Sequence, residues 1–528
     1  MAESQPGPPI EGVQLDYPES PVVDEVLDRQ TLLLVAFFES RFRERRRGIC
    51  EKQARCREDQ RTGTMPGFLL ETEHIRLGDW RVDPPPPEFE SRRVEIVSTL
   101  ETERLVSGLS SVANSVVVDF RDSYTDDTTL LLRGQLRLRQ AVAGTLAHQT
   151  RLGTAVIGDD PAAMIIRPRA LCDPEPNLRF EGQPISGGLL DVLVYLAHCG
   201  KSLVDQESSV CLELPVEDYL EAQLWAEILD SAETLVRLPR GSIRISVAVE
   251  SLTALLQSDE ILHALRTRAI GLSHGTWRYV QNFLECFPDE PRRVHPDRAA
   301  VFSSLDYLRF STRYLVQVAH KRGTFAIAPC CQYDSDDPVG VREAGRELVH
   351  ELADDIAEGY DGKRLTNSRL ALVVARSFDT AGVATDQRDA FPYGEGVTVE
   401  NLTTIRPRPI TEEGLRRAIR SGLAQIAAWS GGRSTVHVDH FLENRASAAV
   451  ARLLVRQWIR HPNGILPDGV VINKAIVREI FAEEMRALSG RESELGCTDD
   501  QLLGAVRALA QSLAAEDARD RVLENLAG

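Results

Sequence analysis

An α/β fold is predicted, a (β/α)8 TIM barrel with a helical N-terminal region and a helical C-terminal domain, and three observations predict it. Short apolar, often β-branched runs recur at 94–97, 115–120, 164–167, 210–214, 243–250, 270–273, 325–328 and 370–374. Helical patterns lie between several of them, at 217–234, 251–266 and 299–321. Near-continuous apolar strands are buried on both faces, the property of a parallel sheet covered by helices. Finally, Asp119, Arg167, Glu250 and His274 fall at the C-terminal ends of such runs, and in a barrel those ends form the active-site face.

Residues 1–23 are acidic and proline-rich and read as a disordered lead. They have no basic segment followed by an apolar core, so no signal peptide is expected. The N-terminal helical region spans 24–93. Its first part, 24–60, is a helix whose apolar side is Val26, Leu27, Leu32, Leu33, Val35, Ala36 and Phe37. Four prolines at 84–87 cannot be helical and mark the boundary to the barrel, 94–375. Residues 376–410 lack periodicity and read as a linker or lid. From 411 to 528 the pattern is helical, starting at Thr411 as N-cap with Glu412 and Glu413 in the first turn.

A chain of 528 residues is long enough for two to four domains. The formal net charge of −18 argues against nucleic acid and anionic membrane as partners. No apolar run is read as membrane-spanning. Basic residues are almost all arginine, the lysines being Lys52, Lys201, Lys321, Lys363 and Lys474, a bias that fits a GC-rich bacterial genome. The nine cysteines are odd in number and lack metal-ligand spacing. Free thiols in a reducing cytoplasm are expected, with Cys172 a packed thiol.

Ordered blocks along the chain resemble the malate synthase family. They include the segment 66–80, Val118-Asp-Phe-Arg-Asp-Ser123, Ile166-Arg-Pro-Arg169, the segment 182–187, Gly275-Thr-Trp-Arg-Tyr279, the segment 410–415, Leu442-Glu-Asn-Arg-Ala-Ser-Ala448 and Gln457-Trp-Ile-Arg-His461. The similarity spans roughly residues 24–490. The resemblance implies condensation of an acetyl thioester with glyoxylate. Such chemistry needs a carboxylate to deprotonate a weakly acidic methyl group. It also needs an arginine and a magnesium ion to stabilise the enolate and polarise the aldehyde.

Carried over residue by residue, Arg167 matches the family's catalytic arginine and Glu250 its metal-binding Glu. Arg278 stands where the family has a metal-binding Asp, Asn444 where it has the catalytic Asp, and Arg121 where it has a Glu. A guanidinium repels a metal ion and an amide has no useful basicity. Arg278 and Glu250 are expected to pair with each other in the metal's place. No metal is expected, since Glu250 would be the one retained ligand, and no cofactor is required; a CoA thioester stays open as substrate. Candidate catalytic residues are therefore Arg167, Asn444 and Arg278. Candidate substrate-binding residues are Arg121, Asp122, Arg167, Glu250, Ser273 and His274. His437, Asp439 and His440 are weighed as a relocated base, with structural roles favoured because a strand splits His437 and His440 between its faces.

Three readings follow. The first is a protein repurposed to a metal-independent reaction on an anionic oxo acid or acyl thioester, an enzyme of the acyltransferase or C–C lyase type. The alternative is a catalytically silent homologue that binds a ligand or a protein partner. A working malate synthase ranks last. The expected partner is a small anionic substrate, with a protein partner or oligomer open.

Overall fold

Eight parallel strands close into a barrel in the order of the sequence. The computed structural model describes residues 10–514 apart from 126, 152, 289, 301–304, 336 and 390–395. The barrel strands are β1 (Val94–Ser98), β2 (Ser115–Asp119), β3 (Ala163–Arg167), β4 (Val210–Leu214), β5 (Ile243–Val249), β6 (Ala269–His274), β7 (Phe325–Cys331) and β8 (Gly362–Leu365), and β8 pairs with β1 to close the ring. Val116, Val118, Ile166, Leu212, Val247 and Leu272 are fully buried, as strands covered by helices require.

The expected eighth strand, 370–374, is instead the start of the helix Ala371–Thr380. The true β8 reads Gly-Lys-Arg-Leu and escapes an apolar-run search. Its charges are nevertheless buried and paired: Lys363 reaches Asp355 at 2.7 Å, and Arg364 points to Glu95 and Glu213.

Helix α1 (Arg29–Arg61) begins at Asp28, whose side chain accepts from the Thr31 amide. It buries Leu32, Val35, Phe38 and Phe42, whereas Leu33 and Phe37 of the expected apolar side are exposed. Part of the expected disordered lead is ordered. Val13–Leu15 pairs antiparallel with Pro174–Phe180, and Pro21–Val26 is helical; residues 1–9 lie outside the described residues. Of the expected linker or lid, residues 376–380 are helical and 390–395 lie outside the described residues. The apolar helical stretch Gly187–Asp205 meets the length and composition of a membrane span, contrary to the sequence reading, but 72% of its window is buried in the protein. That burial assigns it to the protein core.

Two helices of the C-terminal domain, α4 (Glu412–Ser430) and α5 (Arg445–Arg460), pack on each other, and α5 packs on α3 (Thr276–Cys286), the helix that follows β6. Between β4 and β5 runs α2 (Tyr219–Leu235). Docking of the C-terminal domain is fixed by Trp277 stacking edge-on to Phe441 at 5.9 Å, and by Arg298, which holds Glu443 bidentately at 2.5 and 2.8 Å. Glu443 in turn accepts from Ser447 at 2.6 Å. The start of α5 is thereby pinned above the barrel's C-terminal end.

Candidate functional site

Barrel strands present alternate side chains to the interior, and this interior carries charge. Arg92 pairs with Glu95 at 2.6 Å, Glu95 with Arg364 at 2.9 Å, Arg364 with Glu213 at 2.5 Å, and Glu213 lies 3.7 Å from Arg167. Arg167 reaches Asp119 at 3.3 Å and also Glu250, which in addition binds Arg121. Arg278 binds Asp122. A ladder of alternating charge thus climbs from the barrel floor to its mouth. Each carboxylate on it has a guanidinium partner, which offsets the cost of burying charge.

The expected pair of Arg278 with Glu250 is therefore corrected. Arg278 rises from the first turn of α3 and meets Asp122, in the turn after β2, while Glu250 is taken by Arg121 and Arg167. Glu250 follows β5 directly, on the strand next to β6, so its carboxylate faces Arg167 across the barrel mouth.

A chamber of 60 Å³ lies at this mouth, lined by Asp119, Asp122, Arg167, His274, Arg278, Gln332, Arg364, Thr366 and Asn444 among others. By the rule that one water needs about 10–15 Å³, it has room for a few waters or one small acid. Arg167, Arg278 and Arg364 face Asp119 and Asp122 on the lining, and Glu213 and Glu250 beside it balance the remaining charge. Arg167 Nε, Arg278 Nε, Gln332 Oε1 and Thr366 Oγ1 are buried without a hydrogen-bond partner, and such groups need one. A second, outer pocket of 340 Å³ shares Arg278 with the chamber and is lined also by Gln53, Arg57, Arg121, Cys172, Val216, Glu217, Glu221, Glu250 and Glu285.

Electrostatics divides the carboxyls. Burial would raise Asp122, but Arg278, Arg167 and Arg121 outweigh it and hold its carboxyl below the usual range. Burial wins at Asp119, which is pushed up to about 6 against the pull of Arg167. Glu213, buried but between Arg364 and Arg167, falls to about 2. Burial lowers His274 to about 3, so it is neutral; its ring nitrogens contact Thr276 Oγ1 at 2.7 Å and Ser311 Oγ at 3.0 Å.

The chamber brings together most of the sequence candidates: Asp122, Arg167, His274, Arg278 and Asn444, with Arg121 and Glu250 on its outer side. Ser273 is the exception, since its hydroxyl points into the barrel and donates to Glu213 at 2.7 Å. Asn444 is the N-cap of α5: its side chain accepts from the Ser447 amide at 2.9 Å, and Ser447 Oγ accepts from the Asn444 amide at 3.0 Å. Asn and Asp cap helices about equally well, and the amide present here has no useful basicity. None of His437, Asp439 and His440 lines the chamber. His437 binds Asp334 at 3.1 Å, Asp439 occupies a turn at φ 58°, and the His440 carbonyl accepts from the Asp334 amide.

Sequence reasoning missed Arg364, Gln332 and Thr366. Arg364 lies on the strand that was not recognised, and Gln332 and Thr366 lie just past the ends of β7 and β8, where only a correct strand assignment would have looked. It also missed a disulfide. Cys50 on α1 is bonded to Cys172 in the turn after β3, so Cys172 is not a free packed thiol. The two are 122 residues apart, and no local signal joins them.

A magnesium ion does not fit these residues. Glu250 is occupied by two guanidiniums, Asp122 by a third, and among the described residues no group of three or more His, Cys, Asp or Glu could hold a metal.

Residues 163–405 match the family model for the malate synthase TIM barrel domain, and residues 409–527 that for the malate synthase C-terminal domain. Malate synthase A of Escherichia coli (strain K12) is 29% identical over 501 residues, 94% of this chain and 94% of that protein. Malate synthase of Streptomyces clavuligerus is 33% identical over 503 residues, 92% of each. Among solved structures, a Haloferax volcanii malate synthase ternary complex with pyruvate and acetyl-CoA is similar with a TM-score of 0.47 at 14% identity, covering 79% of this chain and 98% of that one.

Proposed function

The chain belongs to the malate synthase family, and from that premise we propose that it takes a small 2-oxo acid monoanion into the barrel mouth without a metal ion, in a reaction on that acid or on an acyl thioester. The observation that carries this reading is the chamber itself: three arginines against two carboxylates around 60 Å³. Guanidinium groups recognise carboxylates in a planar, often bidentate manner. Arg278 Nε is buried without a hydrogen-bond partner, while Arg167 Nε lies 3.7 Å from Glu213. Asn444 and Thr366 supply neutral hydrogen-bonding groups on the same lining. Asp119, with its carboxyl near neutrality, is the group on the lining able to exchange a proton at physiological pH.

The relatives are named malate synthases, and the family condensation joins glyoxylate to an acetyl thioester. In this chain the amide at 444 and the guanidinium at 278 remove the base and one ligand from that scheme. Calorimetric titration with glyoxylate and with pyruvate, each with and without magnesium, is the test. Binding that is unchanged by magnesium and weakened tenfold or more by Arg167→Ala is expected. Binding that requires magnesium, and is lost with it in Glu250→Ala, would overturn the reading. A second reading, a protein that binds the acid without turning it over, is favoured by the capping role of Asn444. Turnover of any thioester in a thiol-release assay would exclude it.

A further inference from the structure

The outer pocket contains a chemical group that the family reaction does not use. Helix α1 forms one wall of this pocket through Gln53 and Arg57. Cys50 precedes them by three and seven residues, so all three share one helical face. Its disulfide to Cys172 fastens this wall to the turn after β3, which leads directly from Arg167. Both cysteines are partly exposed, and Cys172 lines the pocket whereas Cys50 does not.

We propose that Cys50–Cys172 is a reversible thiol–disulfide exchange site, opened by a small dithiol that enters the outer pocket and attacks Cys172, and that the state of this bond sets how firmly α1 walls the pocket.

In the first step the thiolate of the dithiol bonds to Cys172 Sγ, and the Cys50–Cys172 bond breaks. Cys50 leaves as a thiolate and takes up a proton. In the second step the other sulfur of the dithiol attacks the mixed disulfide and releases Cys172 as a thiolate. The protein gains two electrons and two protons, and the dithiol leaves as a cyclic disulfide. The reverse exchange with a disulfide of the same class closes the bond.

Two features of the surroundings favour this chemistry. Cys172 Sγ lies 3.4 Å from Gln53 Oε1. A disulfide sulfur has no hydrogen to give, but the reduced thiol would donate to that oxygen. The same Gln53 donates from Nε2 to Glu221 at 2.9 Å, so the reduced thiol extends an existing polar chain. The turn does not depend on the bond. Asp173 accepts from the Ala170 amide at 2.9 Å, Ser186 Oγ donates to the Leu171 carbonyl at 2.7 Å, and the Gly187 amide donates to the Asp173 carbonyl at 2.7 Å. Opening the bond therefore removes the covalent tie on α1, which keeps Gln53 on Glu221 and Arg57 on Glu217, and leaves the turn in place. The competing thiols are poor nucleophiles: burial pushes Cys199 and Cys330 up to about 12 and raises Cys211, Cys286 and Cys331.

The test uses the full-length wild-type protein under native conditions. Untreated protein is alkylated with iodoacetamide and mapped by peptide mass, then the measurement is repeated after dithiothreitol and after reoxidation with oxidised glutathione. Cys50 and Cys172 are expected to be unlabelled at first, both labelled after dithiothreitol, and protected again after reoxidation, while Cys199, Cys211 and Cys286 stay unlabelled throughout. A brief pulse of glutathione should trap its adduct on Cys172. Amide exchange in 50–57 should quicken at least several-fold on reduction, with 170–173 unchanged. Labelling before reduction, a bond that yields to dithiothreitol only in denaturant, an adduct on Cys50, or unchanged exchange in α1 would each overturn the proposal.

Discussion

Replacing Arg278 with alanine isolates what its guanidinium does at the barrel mouth. Asp122 is 6% exposed and accepts from Arg278 in the wild type. In Arg278→Ala its carboxylate stays buried with no direct partner. Breaking a buried pair in this way typically costs about 3–5 kcal/mol. The carboxyl can escape by taking a proton, which bounds the loss. From the ordinary value of 3.8, neutralisation at pH 7 costs about 4 kcal/mol and at pH 5 about 2 kcal/mol, at 1.36 kcal/mol per unit. Arg167 and Arg121 remain nearby and also favour the charged form, so a deficit of about 3 kcal/mol is expected at pH 7 and less than 2 kcal/mol at pH 5. Urea unfolding followed by tryptophan fluorescence at both pH values measures it. The double change Asp122→Asn with Arg278→Ala should recover most of the loss, because the uncompensated charge is gone. A deficit below about 1 kcal/mol at pH 7, an equal deficit at both pH values, or a double variant no better than the single one would refute the reasoning.

Asn444→Ala should cost about 1 kcal/mol in the same unfolding experiment, the usual worth of an N-cap, whereas Asn444→Asp should cost little. Wild-type protein should form no appreciable malate from acetyl-CoA and glyoxylate in a coupled thiol-release assay, and Asn444→Asp alone should not restore it. The pair Asn444→Asp with Arg278→Asp is the smallest change expected to yield detectable turnover with magnesium, since base and ligand act as one unit. Stability should fall on acidification below pH 6.5. His274 binds its proton at 6.5 when unfolded and only near 3 when folded, and Glu213 does so at 4.5 and about 2, so the unfolded chain gains protons first in both windows. Asp119, raised from 3.8 to about 6, takes its proton first in the folded state and cancels the His274 contribution between about 6 and 4.5, so the fall starts near 6.5, levels off and resumes below 4.5 where Glu213 joins. Acid titration of wild type against Glu213→Gln and Asp119→Asn separates the contributions: Glu213→Gln should flatten the slope below pH 4.5 and Asp119→Asn should steepen it between about 6 and 4, and a slope unchanged in both variants would contradict the assignment.

The site positions were legible where a local motif carried them. Arg167, Glu250, Arg278 and Asn444 were found from short blocks, and the strand-end placement of Asp119, Arg167, Glu250 and His274 followed from apolar runs with a polar terminus. β8 was not legible, because Lys363 and Arg364 break the apolar run, and their charges are tolerable only beside Asp355, Glu95 and Glu213, residues far away in the chain. The phase of α1 was misjudged for a related reason: Phe37 and Phe38 are adjacent and equally apolar, and packing decides which one is buried.

Periodicity and residue chemistry are local properties, and they were enough for the barrel, the helical flanks and the presence of a guanidinium at 278 and an amide at 444. Only the tertiary structure decided which charges meet. Arg278 reaches Asp122 in the turn after β2 rather than Glu250, which is taken by Arg121 and Arg167. The bond from Cys50 to Cys172 and the chamber at the barrel mouth arise in the same way, from closing eight strands into a ring and seating α1 and α5 against it. Partners brought together by closure are separated by scores of residues in the chain, and no pattern of neighbours encodes their distance.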